Sequence, residues 1–156
     1  MTMWVRISFL IAIMAITTKG RAESVGSDFQ GEWVGAGQVL SGDSANPVAA
    51  DFDLKIQKTE KSLTIEDCWT VVDAQLGQRR TCYQNQFAVN EFDQVLAGEN
   101  KVGDIFPDYI LIYQGTSQVA EQMKFGLKAN GGLVYNYTYS NEGGDRNVRS
   151  AQLQRP

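Results

Sequence analysis

Met123-Lys-Phe-Gly-Leu127 and Val134-Tyr-Asn-Tyr-Thr-Tyr139, with Asn130-Gly-Gly132 between them, decide the fold. Apolar and polar residues alternate with a period of two on both sides of a turn-forming triplet, the pattern of two antiparallel strands with one covered face. A three-residue loop pairs Leu127 with Tyr135, Phe125 with Tyr137 and Met123 with Tyr139. Lys124, Lys128, Asn136 and Thr138 then gather on the other face. A two-residue loop would set the tyrosines beside the lysines, so separation of apolar from charged side chains selects the first register.

The same alternation recurs along the chain, broken by Gly, Asn and Asp clusters. A first strand over about 30–40 carries Trp33, Gly35, Gly37 and Val39 on one face, and glycines there let the strand bend and its partner pack close. Phe52, Leu54 and Ile56 alternate with charged and polar residues, as do Leu63 and Ile65. A turn at 58–61 would set Ile56 opposite Leu63 and Leu54 opposite Ile65. Further strands are expected near 67–73, 78–83, 86–90, 94–97, 101–106 and 109–114, and a last one over 148–154. The prolines, at 47, 107 and 156, interrupt none of them. About nine or ten strands in succession, joined by short turns, predict an all-β fold, an antiparallel up-and-down β-barrel.

The start of the chain has its own signature. Arg6, an apolar run over 7–16, and small Gly20 and Ala22 follow the order of a signal peptide over residues 1–22. The run is shorter than the roughly 20 residues a membrane span needs. Cleavage after Ala22 leaves one domain, 23–156. Losing Arg6, Lys19 and Arg21 from 14 cations leaves 11 against 18 anions, a net charge of −7. Such a domain repels phosphate backbones, so nucleic acid is not an expected partner, nor is insertion into a membrane after cleavage. The expected location is periplasmic or secreted.

Two cysteines, Cys68 and Cys82, lie beyond the cleavage point. A three-residue loop centred on Gln75 puts them directly across from each other, and an exported pair oxidises, so one disulfide is expected. The chain has no histidine. That removes Ser-His and Cys-His nucleophilic catalysis and histidine zinc sites. No catalytic constellation is visible among the carboxylates, tyrosines, lysines and arginines, and no cofactor or metal is expected. The Asn141-Glu-Gly-Gly-Asp145 stretch fits no calcium loop with defined ligand positions.

Asp28-Phe-Gln-Gly-Glu-Trp33 resembles the opening of the calycin barrels, the lipocalin, fatty-acid-binding and avidin group. The resemblance implies a structural role for Gly31 and Trp33 at the closed end of the barrel. It also implies a last-strand arginine covering Trp33, with Arg149 and Arg155 as candidates. The chain departs from lipocalins in lacking a C-terminal helix and from fatty-acid-binding proteins in lacking a helical lid.

These registers turn Asp67, Trp69, Thr81 and Tyr83 inward near one another, together with Phe125, Tyr135, Tyr137 and Tyr139. Aromatic walls with a few fixed polar groups are how small-molecule sites are built, so Asp67, Trp69, Tyr83, Phe125, Tyr135, Tyr137 and Tyr139 form the candidate ligand site. The alternative is that the tyrosines simply fill a narrow barrel. An inward Asp67 needs a partner, and Arg79 shares its face; a β-bulge near Cys68 would instead turn it to solvent. Two functions remain open: binding a small hydrophobic or aromatic ligand, or contacting a protein. The latter covers an inhibitor of a secreted enzyme, an envelope-assembly subunit or a homo-oligomer, through the loop at 41–50 and the strand Tyr109–Tyr113, which is apolar on both faces.

Overall fold

A computed structural model describes residues 25–42, 46–73 and 75–156. The expected signal peptide, 1–22, lies outside the described residues. A single 3-10 turn, Ser27–Phe29, leads into ten strands: β1 Gly31–Ser41, β2 Val48–Lys58, β3 Ser62–Asp73, β4 Gly77–Val89, β5 Gln94–Ala97, β6 Asn100–Ile105, β7 Tyr109–Gly115, β8 Val119–Leu127, β9 Leu133–Asn141 and β10 Arg146–Gln154. Every strand pairs antiparallel with the next, and β1 closes the ring against β10. Among the described residues no helix is long and apolar enough to cross a membrane.

Closure depends on β1. Gly35 and Gly37 sit where a Cβ would run into the Gln152 carbonyl and the Ser150 carbonyl. Only glycine lets β10 lie this close to the inner face. The inward alternation then builds a core in layers. Ile56, Leu63, Ile65, Ile110 and Phe125 are fully buried in the half nearest the start of β1.

Two hairpin registers differ from those read in the sequence. Ile56 faces Ile65 and Leu54 faces Asp67. Phe125 faces Tyr135 and Met123 faces Tyr137. Each shift is two residues, so every side chain keeps its face. The cause lies in the turns: Leu63 pairs with Lys58 instead of Ile56, around Thr59–Ser62, where the Thr59 hydroxyl accepts from the Lys61 and Ser62 amides. The other turn closes across Lys128–Gly132, with the Gly132 amide donating to Asn130 Oδ1.

The segments expected at 78–83 and 86–90 are one continuous strand, β4. It pairs with β3 along its length, so no bulge occurs at Cys68. Cys68 and Cys82 face each other and form the disulfide on the outer face. Closing that loop stabilises by about 3 kcal/mol in the chain-entropy picture. The side chain of Asn141 accepts from the Asp145 amide and donates to its carboxylate, so this stretch closes the β9–β10 turn.

The wall is uneven. β4 pairs with β5 only at Ala88 and Val89, and β6 pairs with β7 only over Gly103–Ile105. The short β5–β6 hairpin therefore fills one half of the wall, leaving a notch between β4 and β7 in the other. The strand Tyr109–Tyr113 buries Ile110 and Ile112. On its outer side Tyr109 stacks on Phe106 at 4.2 Å, and Tyr113 is 44 % exposed.

Candidate functional site

The closed end explains the glycine–tryptophan signature. Phe29 plugs the barrel, and the Trp33 indole N–H donates to its carbonyl at 2.9 Å. The Arg155 guanidinium lies over the Trp33 ring at 4.4 Å and donates to the Asp28 and Gln30 carbonyls at 2.8 Å. Gly31 has φ +123, and a Cβ there would stand 2.6 Å from Arg155 Nη1. This corner admits no side chain, which is why the residue two before Trp33 is glycine. Of the two candidate arginines, Arg155 covers Trp33 and Arg149 does not.

Arg149 points into the barrel. Inward alternation on β10 runs Leu153, Ala151, Arg149 and Asn147, so the apolar layers give way to a polar one halfway up. Arg149 Nη1 donates to Asp67 Oδ2, and the Tyr135 hydroxyl donates to the same oxygen at 2.5 Å. Arg79, on the exposed part of β4, is not the partner of Asp67. Register sets it against Val71, four residue pairs further toward the rim, whereas β9 and β10 deliver Tyr135 and Arg149 across the lumen.

Aromatic rings hold the guanidinium in place. It lies 3.6 Å from the Tyr137 ring centre, 4.3 Å from that of Trp69 and 5.6 Å from that of Tyr83. Trp69 and Tyr83 stack on each other at 5.5 Å. Such cation–π contacts strengthen when the cation is desolvated, as this one is.

Burial sets the acid–base character of the cluster. It pushes the Asp67 carboxyl above its ordinary value, against the opposing pull of the Arg149 charge. It also holds the Tyr135 hydroxyl far up, with help from the Asp67 charge. Tyr137 is pushed up to about 12 by burial first and by the Glu121 carboxylate next, with Arg149 opposing. The phenols therefore stay protonated as donors at neutral pH.

Three polar atoms here are buried without a hydrogen-bond partner: Asp67 Oδ1, Arg149 Nε and Asn147 Oδ1. Buried polar atoms are nearly always satisfied in folded proteins, so three together mark spare bonding capacity. Beyond them, toward the β3–β4 turn, a cavity of about 310 Å³ opens. Its apolar walls include Val39, Val48, Trp69 and Val71, and Asn147, Thr81 and Tyr83 supply polar groups.

The structure thus brings Asp67, Trp69, Tyr83, Tyr135 and Tyr137 together around Arg149. Tyr83 faces inward, yet it is 55 % exposed because the notch leaves nothing beyond it. Phe125 stacks on Tyr135 at 5.2 Å in the packed layer below and does not line the cavity. Tyr139 is partly buried and pairs with Glu121 and Asn147. Sequence reasoning missed Glu121 and Asn147, although both continue inward rows, two residues from Met123 and Arg149. Both lie just ahead of where the sequence pattern starts these strands, at Met123 and Val148, whereas the strands begin at Val119 and Arg146.

No protein-family model matches the chain, and no curated protein sequence matches it. Among solved structures, the S-type phycobiliprotein lyase CPES from Guillardia theta is similar at a TM-score of 0.48 and 8% identity, over 83% of this chain and 89% of that one.

Proposed function

We propose that this chain is an exported, calycin-like binding protein that takes a small, largely apolar molecule into the open end of its barrel. One observation carries the reading: a cavity of about 310 Å³ with apolar walls, beside buried polar atoms that lack partners. A barrel that only needed filling would place apolar side chains at this level, as it does below it. Burying Arg149 and Asp67 costs desolvation that an apolar pair would avoid. In support of export, Cys68 and Cys82 are joined as a disulfide, a bond that persists in oxidising compartments. The residues proposed to carry binding are Trp69, Tyr83 and Asn147, which line the cavity, with Tyr137 behind them against Arg149. Asp67, Tyr135 and Arg149 hold the floor in place, and Gly31, Trp33 and Arg155 seal the far end.

The test is native mass spectrometry of residues 23–156 purified from an exported compartment. The expected result is a retained adduct of a few hundred daltons that is lost on denaturation, together with the mass deficit of one disulfide. A protein that carries no adduct and takes up none of a panel of small apolar molecules would contradict the reading.

A specific feature favours a second reading. The edge of β4 from Gly77 to Phe87 has no strand beyond it among the described residues. Unpaired edges accept an extended segment of another chain by strand addition. In that case Gln84→Pro, which removes an edge amide, abolishes capture of a protein partner and leaves small-molecule binding unchanged.

A further inference from the structure

Resting on the binding reading above, we infer that the ligand is a planar ring system carrying an N–H or O–H donor on its edge, not a fatty acid or other anionic chain. The cavity volume of about 310 Å³ suits two fused rings and is small for a long flexible chain. A stacking surface is already in place. Tyr83 lies nearly parallel to Trp69, at an interplanar angle of 19°, and remains 55 % exposed, so the ring face turned away from Trp69 is open. Aromatic platforms of this kind accept flat π-systems at little conformational cost.

The polar requirement comes from Asn147. Its Oδ1 is buried without a partner and belongs to the cavity wall. A side-chain carbonyl accepts and cannot donate, so the group that satisfies it must bring a hydrogen. A ligand lacking that hydrogen leaves a buried acceptor unpaired, which costs far more than the bond alone is worth.

Charge argues against an acidic headgroup. Asp67 and Arg149 offset each other at the floor, so no net positive charge awaits an anion there. Glu121, close enough to raise the Tyr137 hydroxyl, adds charge of the same sign as a carboxylate. Asp73 and Arg79 both reach the cavity rim with opposite charges, and both are exposed, where water and salt screen them.

The experiment is isothermal titration calorimetry of residues 23–156 with four probes: indole, 3-methylindole, 1-methylindole and decanoate. Indole and 3-methylindole keep the N–H; 1-methylindole matches 3-methylindole in volume and lacks it. The expected result is binding of the first two within about threefold of each other, 1-methylindole at least about tenfold weaker, and no competition by decanoate. In Asn147→Leu the gap between the two methylindoles closes. Equal affinity of the two methylindoles for the unmodified protein, or decanoate as the tightest probe, would overturn the inference and leave the binding reading standing. No binding by any of the four would count against the reading itself. The four-probe comparison needs no variant, so it still decides the matter if Asn147→Leu fails to fold.

Discussion

The two ends of this barrel repeat one pairing, an arginine against a tryptophan, with opposite outcomes. At the closed end Arg155 covers Trp33 from outside and directs its donors to the Asp28 and Gln30 carbonyls. At the open end Arg149 lies over Trp69 from inside, and its Nε is left buried and unpartnered. The first pair is a seal: nearly every polar group is satisfied and Trp33 is 1 % exposed. The second is a floor with bonding capacity to spare. What separates them is position along one strand. Arg155 follows β10 and turns outward, whereas Arg149 falls on its inward row.

The largest effect that sharpens this contrast is at the seal. Trp33→Ala should cost about 4 kcal/mol in urea unfolding, the usual penalty for emptying a large core site. Asp67→Ala should follow at about 3 kcal/mol, because it leaves Arg149 Nη1 and the Tyr135 hydroxyl buried without the acceptor they share. A cost below about 1 kcal/mol for Asp67→Ala would mean that Arg149 swings to solvent, and the open end would then have no fixed floor.

Acidity separates the ends further. Burial raises the Asp67 carboxyl above its ordinary 3.8, so the folded protein holds that proton more tightly than the unfolded chain does. The associated stability is fully present below the ordinary value and is lost as pH rises through the folded one. Asp67→Asn cannot ionise and lacks this slope. It should match the unmodified protein near pH ~3.5 and gain on it toward pH ~7, read as paired denaturation midpoints. The opposite trend would show the Arg149 charge outweighing burial.

Much of this was legible in the sequence because a β-barrel writes its faces in a period of two. The strands, the Cys68–Cys82 pairing and the inward tyrosine row all follow from alternation and turn chemistry. The partner of Asp67 did not. Alternation says which face a residue takes but not what lies across the lumen, and Arg149 sits 82 positions away. Nor could the exposure of Tyr83 be read, since it depends on the β5–β6 hairpin being too short to fill the wall beside it.

Smaller effects probe the two arginine–tryptophan pairs from outside. Arg155→Met should cost about 1–2 kcal/mol, since its bonds are charge-assisted but open to water, and should leave probe affinity at the other end unchanged. Tyr83→Ala should change stability by less than about 1 kcal/mol and weaken indole binding by about three- to tenfold. If Arg155→Met weakened indole binding as much as Tyr83→Ala did, the two ends would not be independent.

The most direct measurement uses the two indole N–H signals of Trp33 and Trp69, in a nitrogen-15 correlation spectrum of residues 23–156 titrated with unlabelled indole. The Trp69 signal should shift progressively along with the backbone amides of Tyr83 and Asn147, while the Trp33 signal, bonded to the Phe29 carbonyl, stays in place. Movement of both signals together would show a lumen open from end to end, and movement of neither at millimolar indole would show no site at Trp69; either result contradicts a barrel sealed at Trp33 and open to a ligand at Trp69.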